Sequence, residues 1–171
     1  LCLMVPGSLA IHGDVYLAGT ASRGVYKSEG GDFWHDANTG MPNGTTLNTI
    51  ALDGNTIFTS VDAQGVFRTN DEGNTWTTIT MDSTISTSYT RVLFIHNNLL
   101  FAGTDDNGVF RSADHGDTWE AANEGISDQF IYAFGAQFPY LFIGADYAVY
   151  RSDNNGDTWT QVNNGLPGLG W

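Results

Sequence analysis

The residues best suited to chemistry are aspartates that recur at matching positions. Asp62, Asp105, Asp106 and Asp146 lie in the short segments VDAQG (61–65), TDDNG (104–108) and ADYA (145–148), with Tyr147 and Tyr89 available for stacking. Carboxylates grouped with aromatic rings suit a divalent cation, a basic partner segment or a polyhydroxylated sugar. A glycosidase would need two such carboxylates facing one groove about 5 to 10 Å apart. Solvated turn aspartates account for the same residues, because loops use Asp for hydrogen bonds to nearby backbone. Other chemistries lack their groups. His12, His35, His96 and His115 show no metal-ligand spacing. The single cysteine, Cys2, excludes an internal disulfide framework and a multi-cysteine zinc site, and no serine sits in a nucleophile elbow.

The elements that must position these residues come from a repeat. Trp34, Trp76, Trp119 and Trp159 recur at intervals of 42, 43 and 40 positions, the period of propeller blades. Each closes a similar text: GVYKSEGGDFW, GVFRTNDEGNTW, GVFRSADHGDTW and AVYRSDNNGDTW. Within a repeat, strand-like runs alternate with turn signals. In the second repeat, 46–54, 55–61, 65–70 and 74–80 read as strands a to d, with Asp53-Gly54 as the first hairpin turn. The predicted fold is all-β, a β-propeller of four-stranded antiparallel blades. The chain (1–171) forms one array with blades at about 8–42, 46–82, 90–126 and 130–166, and 1–7 and 167–171 are blade-edge segments. Loops b–c and d–a then share one rim, which carries Asp62, Asp105, Asp106, Asp146 and Tyr147. Gly19, Ser60, Gly103 and Gly144 recur late in strand b, where blades crowd an axis or a bulge falls.

The c–d segment, S/T-x-D-x-G-x-T-W, resembles the Asp-box, or BNR repeat, of sialidases, sortilin-type receptors and many bacterial surface proteins. Its best copies supply Thr69, Asp71, Gly73, Thr75 and Trp76, then Ser112, Asp114, Gly116, Thr118 and Trp119. The last copy, with Ser152, Asn154, Gly156, Thr158 and Trp159, keeps the acceptor and loses the charge. The first, with Ser28, Gly31 and Trp34, is one residue shorter and lacks the aspartate. The expected logic is local: Asp accepts hydrogen bonds from turn amides and hydroxyls, glycine takes positive φ, and tryptophan covers the hairpin. Asp71, Asp114, Asp117, Asp153 and Asp157 would also suit a Ca2+ loop, although hairpin locking explains each without a metal.

The resemblance implies boxes that are structural and lie away from the functional face. Sialidases clamp a carboxylate with three arginines. Here Lys27, Arg68, Arg111 and Arg151 share one strand-c position, leaving only Arg23 and Arg91, too few for that clamp. Similar xyloglucan-degrading enzymes keep open a second reading, a glycoside hydrolase fragment whose catalytic groups lie partly outside this chain. A photosynthetic assembly factor of similar propeller type would carry basic patches, which this chain lacks.

Six basic residues against 19 acidic ones give a net charge of −13, which repels nucleic acid. No apolar run approaches the roughly 20 residues that span a bilayer, so no membrane insertion is expected. Asn43-Gly44-Thr45 is a glycosylation sequon, and the run 83–90 offers hydroxyls for O-linked sugar. The text LCLMVPG (1–7) resembles the blade-ending NTGMPNG (38–44) and NNGLPG (163–168). The chain thus reads as starting at the end of one blade and finishing at the entry to another, with Leu1 to Val5 able to pair with a neighbour. The expectation is a non-catalytic extracellular or cell-surface module without a cofactor. Its partners would be further copies of itself through blade edges, other surface proteins, or glycans.

Overall fold

A computed structural model describes residues 6–79 and 89–166. The expectations for Leu1 to Val5, for 167–171 and for 83–88 of the hydroxyl-rich run fall outside these residues. Sixteen described strands form four sheets. Blade 1 contains β1 (Pro6–His12), β2 (Val15–Thr20), β3 (Val25–Glu29) and β4 (His35–Asp36). Blade 2 contains β5 (Leu47–Asp53), β6 (Thr56–Val61), β7 (Gly65–Thr69) and β8 (Thr77–Thr78). Blade 3 contains β9 (Thr90–His96), β10 (Leu99–Thr104), β11 (Val109–Ser112) and β12 (Glu120–Ala121). Blade 4 contains β13 (Ile131–Gln137), β14 (Tyr140–Ala145), β15 (Val149–Ser152) and β16 (Thr160–Gln161). Every sheet is an antiparallel meander in chain order, the all-β propeller architecture expected from the repeat.

The outermost strand is shorter than its sequence suggests. Among the described residues of the expected 74–80, strand β8 is confined to Thr77 and Thr78, with Ile79 N–H adding one bond to Val66 O of the same blade. The hairpin turn occupies the preceding residues, and Trp76 N–H donates instead to Thr39 O of blade 1.

Side chains alternate between the two faces of each sheet, and both faces of an inner blade are apolar. In β10, Leu100 and Ala102 are buried against blade 2, and Phe101 between them is buried against blade 4. Three clusters therefore fill the three gaps between successive blades. Leu17 meets Leu47, Ile57 and Phe67 across the first gap. Phe58 and Val66 meet Leu93 and Leu100 across the second. Phe101 and Val109 meet Leu141, Ile143 and Tyr150 across the third. The innermost strands line up in the order β1, β5, β9, β13, and β13 and β1 share no comparable packing.

In each of blades 2 to 4 the inner strand carries a bulge after its first residue, at Asn48, Arg91 and Tyr132. A bulge re-aims one side chain out of the alternation. Here it delivers that side chain to the b–c rim.

Candidate functional site

Two of those bulge residues organise the rim of blades 3 and 4. The Arg91 guanidinium bonds both oxygens of Asp105, with Nη2 donating to Oδ2 at 2.9 Å and Nε donating to Oδ1. The same guanidinium lies 5.0 Å from the centre of the Tyr132 ring. The Tyr132 hydroxyl donates to Asp146 Oδ1. Arg91 is held in its charged form above its ordinary range, chiefly by the bonds to Asp105. The Tyr132 phenol is pushed up because its proton is shared with the Asp146 carboxylate.

The sequence-derived rim residues divide around this cluster. Asp105 and Asp146 belong to it, with Tyr147 exposed beside Asp146. Asp106 is exposed and accepts from Asn107 Nδ2. Asp62 is exposed on blade 2, tied by its own amide to Thr46 O. Tyr89 is linked by its carbonyl, which accepts from Asp105 N–H. Arg91 and Tyr132 went unrecognised as rim residues, since strand alternation gives no sign of a bulge. Tyr89, Phe130, Tyr132 and Tyr147 all stand at least 42% exposed, so four large rings line one rim.

The opposite rim carries the c–d hairpins. Asp71 receives Thr69 Oγ1 at 2.6 Å, Thr75 N at 2.9 Å and Thr75 Oγ1 at 2.6 Å. Asp114 receives Ser112 Oγ, Thr118 N and Thr118 Oγ1 in the same pattern. Partial burial pushes Asp71 upward, but the hydrogen bonds from Thr69 and Thr75 outweigh it and bring the carboxyl to about 2. Asp114 also falls to about 2, led by the Thr118 hydroxyl. Asn154 reproduces the lock with one bond reversed: its Oδ1 accepts from Ser152 and Thr158 N, while its Nδ2 donates to Thr158 Oγ1. In the shortened first copy, Gly31 N–H still donates to Ser28 Oγ at 3.1 Å, without a carboxylate to brace it.

Two hairpin details differ from expectation. Positive φ is taken by a pair of residues, Glu72-Gly73, His115-Gly116 and Asn155-Gly156, instead of the glycine alone. The tryptophans also reach beyond their own hairpins. Trp76 Nε1 donates to Ala37 O and Trp159 Nε1 to Ala122 O, each on the preceding blade. Trp119 donates to its own Gly116 O. Ile79 stands where blades 1 and 3 place Ala37 and Ala122, and its Cδ1 approaches within 2.7 Å of where a Gly116 Cβ would sit.

A second recurring device escaped the sequence reading. Asn38, Asn123 and Asn163 each accept from the first amide of strand c (Val25, Val109, Val149) and donate to a b–c loop carbonyl (Arg23, Asn107, Tyr147). They pin the b–c loop to the chain leaving the blade. The signal was present as Asn-x-Gly at 38–40, 123–125 and 163–165. Asn43 is exposed, while Thr45 of the same sequon is buried. Among the described residues, no three His, Cys, Asp or Glu side chains converge to hold a metal.

Four antiparallel four-stranded sheets packed face to face around aligned inner strands define a β-propeller. The chain belongs to the DUF6242 beta propeller domain family, whose model matches residues 8–130 and 66–169. No curated protein matches the sequence. Among solved structures, the chain is similar to the extracellular domain of the putative one component system BT4673 from B. thetaiotaomicron, at 17% identity and a TM-score of 0.72, covering 95% of this chain and 23% of that one. YCF48 from Cyanidioschyzon merolae matches at 13% identity and a TM-score of 0.69, over 92% of this chain and 56% of that one. A GH74 enzyme of Niastella koreensis matches at 20% identity and a TM-score of 0.69, over 91% and 29%. The chain thus spans less than two thirds of each, and identities this low establish the fold alone.

Proposed function

We propose that this chain is a non-catalytic β-propeller module that binds a protein or glycan ligand on the b–c rim of blades 3 and 4, at the cell surface or outside the cell. The observation that carries this reading is the set of exposed rings, Tyr89, Phe130, Tyr132 and Tyr147, interleaved with Asp105, Asp106 and Asp146. Rings stack on sugar faces or on cationic side chains, and carboxylates accept from hydroxyls or ammonium groups. Asp105 is engaged by Arg91 and Asp146 by Tyr132, an arrangement suited to holding shape more than to cycling protons. The likeness to the extracellular domain of BT4673 supports the location. A similar structure, YCF48 bound to D1 peptide, supports the idea that this fold presents a protein-binding surface. The carboxylate-centred hairpins favour placing the repeats in the Asp-box group.

Arrays of oligosaccharides and of lysine- and arginine-containing peptides, probed with the chain, test the reading. A stacking contact is worth roughly 0.5–1.5 kcal/mol beyond its buried area, so Tyr147→Ala should weaken binding by about three- to tenfold or more. Binding that survives both Tyr147→Ala and Asp146→Asn would move the site elsewhere. Saturable glycoside turnover lost in Asp105→Asn or Asp106→Asn would establish an enzyme instead.

A further inference from the structure

The inner edge of each of the three gaps is built from the same three positions. The first is a residue early in strand a, which is Ser8, Thr49 or Val92. The second is its cross-strand partner late in strand b, which is Gly19, Ser60 or Gly103. The third is a residue at the start of the next blade's inner strand, which is Leu47, Thr90 or Ile131. The glycines report how tightly these positions meet. A Cβ on Gly19 would press on Ser8 Oγ and lie 3.1 Å from Leu47 Cβ, and one on Gly103 would lie 2.8 Å from Val92 Cγ1 and 2.7 Å from Ile131 Cγ2. The first and third gaps therefore close by packing an aliphatic side chain on glycine.

The second gap carries a hydroxyl at all three positions, Thr49, Ser60 and Thr90. Ser60 is 0% exposed and Thr90 1% exposed. Among the described residues neither Ser60 Oγ nor Thr90 Oγ1 has a hydrogen-bond partner, so they do not bond each other. Ser8 Oγ in the first gap is also unpartnered, but it faces a glycine and a leucine. A buried hydroxyl left unpaired forfeits its solvation, and native interiors almost always supply it with a protein or water partner. Room for such a partner follows from Ser60. Gly19 and Gly103 let the next inner strand approach until a Cβ would overlap it, whereas Ser60 carries that Cβ and holds blades 2 and 3 further apart. A cation is a poor occupant, because three neutral hydroxyls offer no charge to replace its hydration. Water suits groups that both donate and accept.

We infer that Thr49, Ser60 and Thr90 hold one buried water molecule between blades 2 and 3. This goes beyond the rim reading and does not depend on it. The water satisfies Ser60 Oγ and Thr90 Oγ1 at once, with Thr49 Oγ1 as the third partner, and buried waters typically make about three hydrogen bonds. The second gap is thus joined at its inner edge by a hydrogen-bonded bridge, where the other two are joined by direct apolar packing.

A high-resolution crystal structure of the chain should show a water peak about 2.5–3.0 Å from both Ser60 Oγ and Thr90 Oγ1. A dry gap, or a direct bond between the two hydroxyls, overturns the inference. Thr90→Val keeps the shape and removes one partner of the water. It should lower the folding equilibrium constant about two- to tenfold in chemical denaturation. An unchanged or increased constant overturns the inference, because it marks a hydroxyl that had no water to lose. Importing the third gap's residues with Thr49→Val, Ser60→Gly and Thr90→Ile should remove the water peak, and a water that persists in that variant belongs to other groups and overturns the inference as well.

Discussion

At the scale of single residues, the c–d hairpin is a proton-sensitive lock. Asp71 and Asp114 sit at about 2 in the folded chain, below the ordinary 3.8. A depressed folded value means the stabilisation is present in full above the unfolded value and is lost as pH falls through the folded one. Unfolding midpoints should therefore drop between about pH 4 and pH 2, and Asp114→Asn should flatten part of that slope. Because Asn154 keeps its Ser152 and Thr158 bonds, Asp114→Asn should also lower Tm less than Asp114→Ala does. Thermal melts as a function of pH decide both points, and an Asn variant as unstable as the Ala variant would show that charge, not shape, makes the lock. These hydrogen bonds were legible from residue types and spacing. The bond from Trp76 to Ala37 O was not, because local text cannot say which neighbouring blade supplies an acceptor.

At the scale of elements, strands a, b and c were legible from alternation and turn signals, and strand d was overestimated because the hairpin turn takes its first residues and Trp76 N–H bonds outward to the preceding blade. The bulges at Arg91 and Tyr132 were hidden, since a one-residue register shift leaves no mark in a run of otherwise regular strand residues. Glycine gives the sharpest element-scale test. A methyl on Gly103 would press on Ile131 and Val92, whereas one on Gly144 has room. Overpacking costs about 1–3 kcal/mol, so Gly103→Ala should destabilise by that amount and Gly144→Ala should be nearly neutral in chemical denaturation. Equal effects would contradict the placement of Gly103 against the next blade. In the first gap, Leu17→Ala should cost about 2–5 kcal/mol, since it empties the space beside Leu47 and Ile57.

At the scale of the whole molecule, the blade count and propeller class were readable from four tryptophans, but the state of the two end faces was not. That state depends on which side of each strand meets another blade, and the periodicity of end blades is the same as that of inner ones. The aromatic and acidic rim of blades 3 and 4 is where these scales meet, with Tyr89, Phe130, Tyr132 and Tyr147 exposed beside Asp105, Asp106 and Asp146. Hydroxyl-radical footprinting read by mass spectrometry, with and without an oligosaccharide or basic peptide that the chain captures, probes it directly. In the free chain Tyr132 and Tyr147 should react readily while Trp76 and Trp159 stay protected. With ligand bound, Tyr132 and Tyr147 should become protected while Leu9, Ile11 and Trp34 remain reactive. Rim tyrosines whose reactivity is unchanged by a bound ligand would contradict the rim as the binding surface.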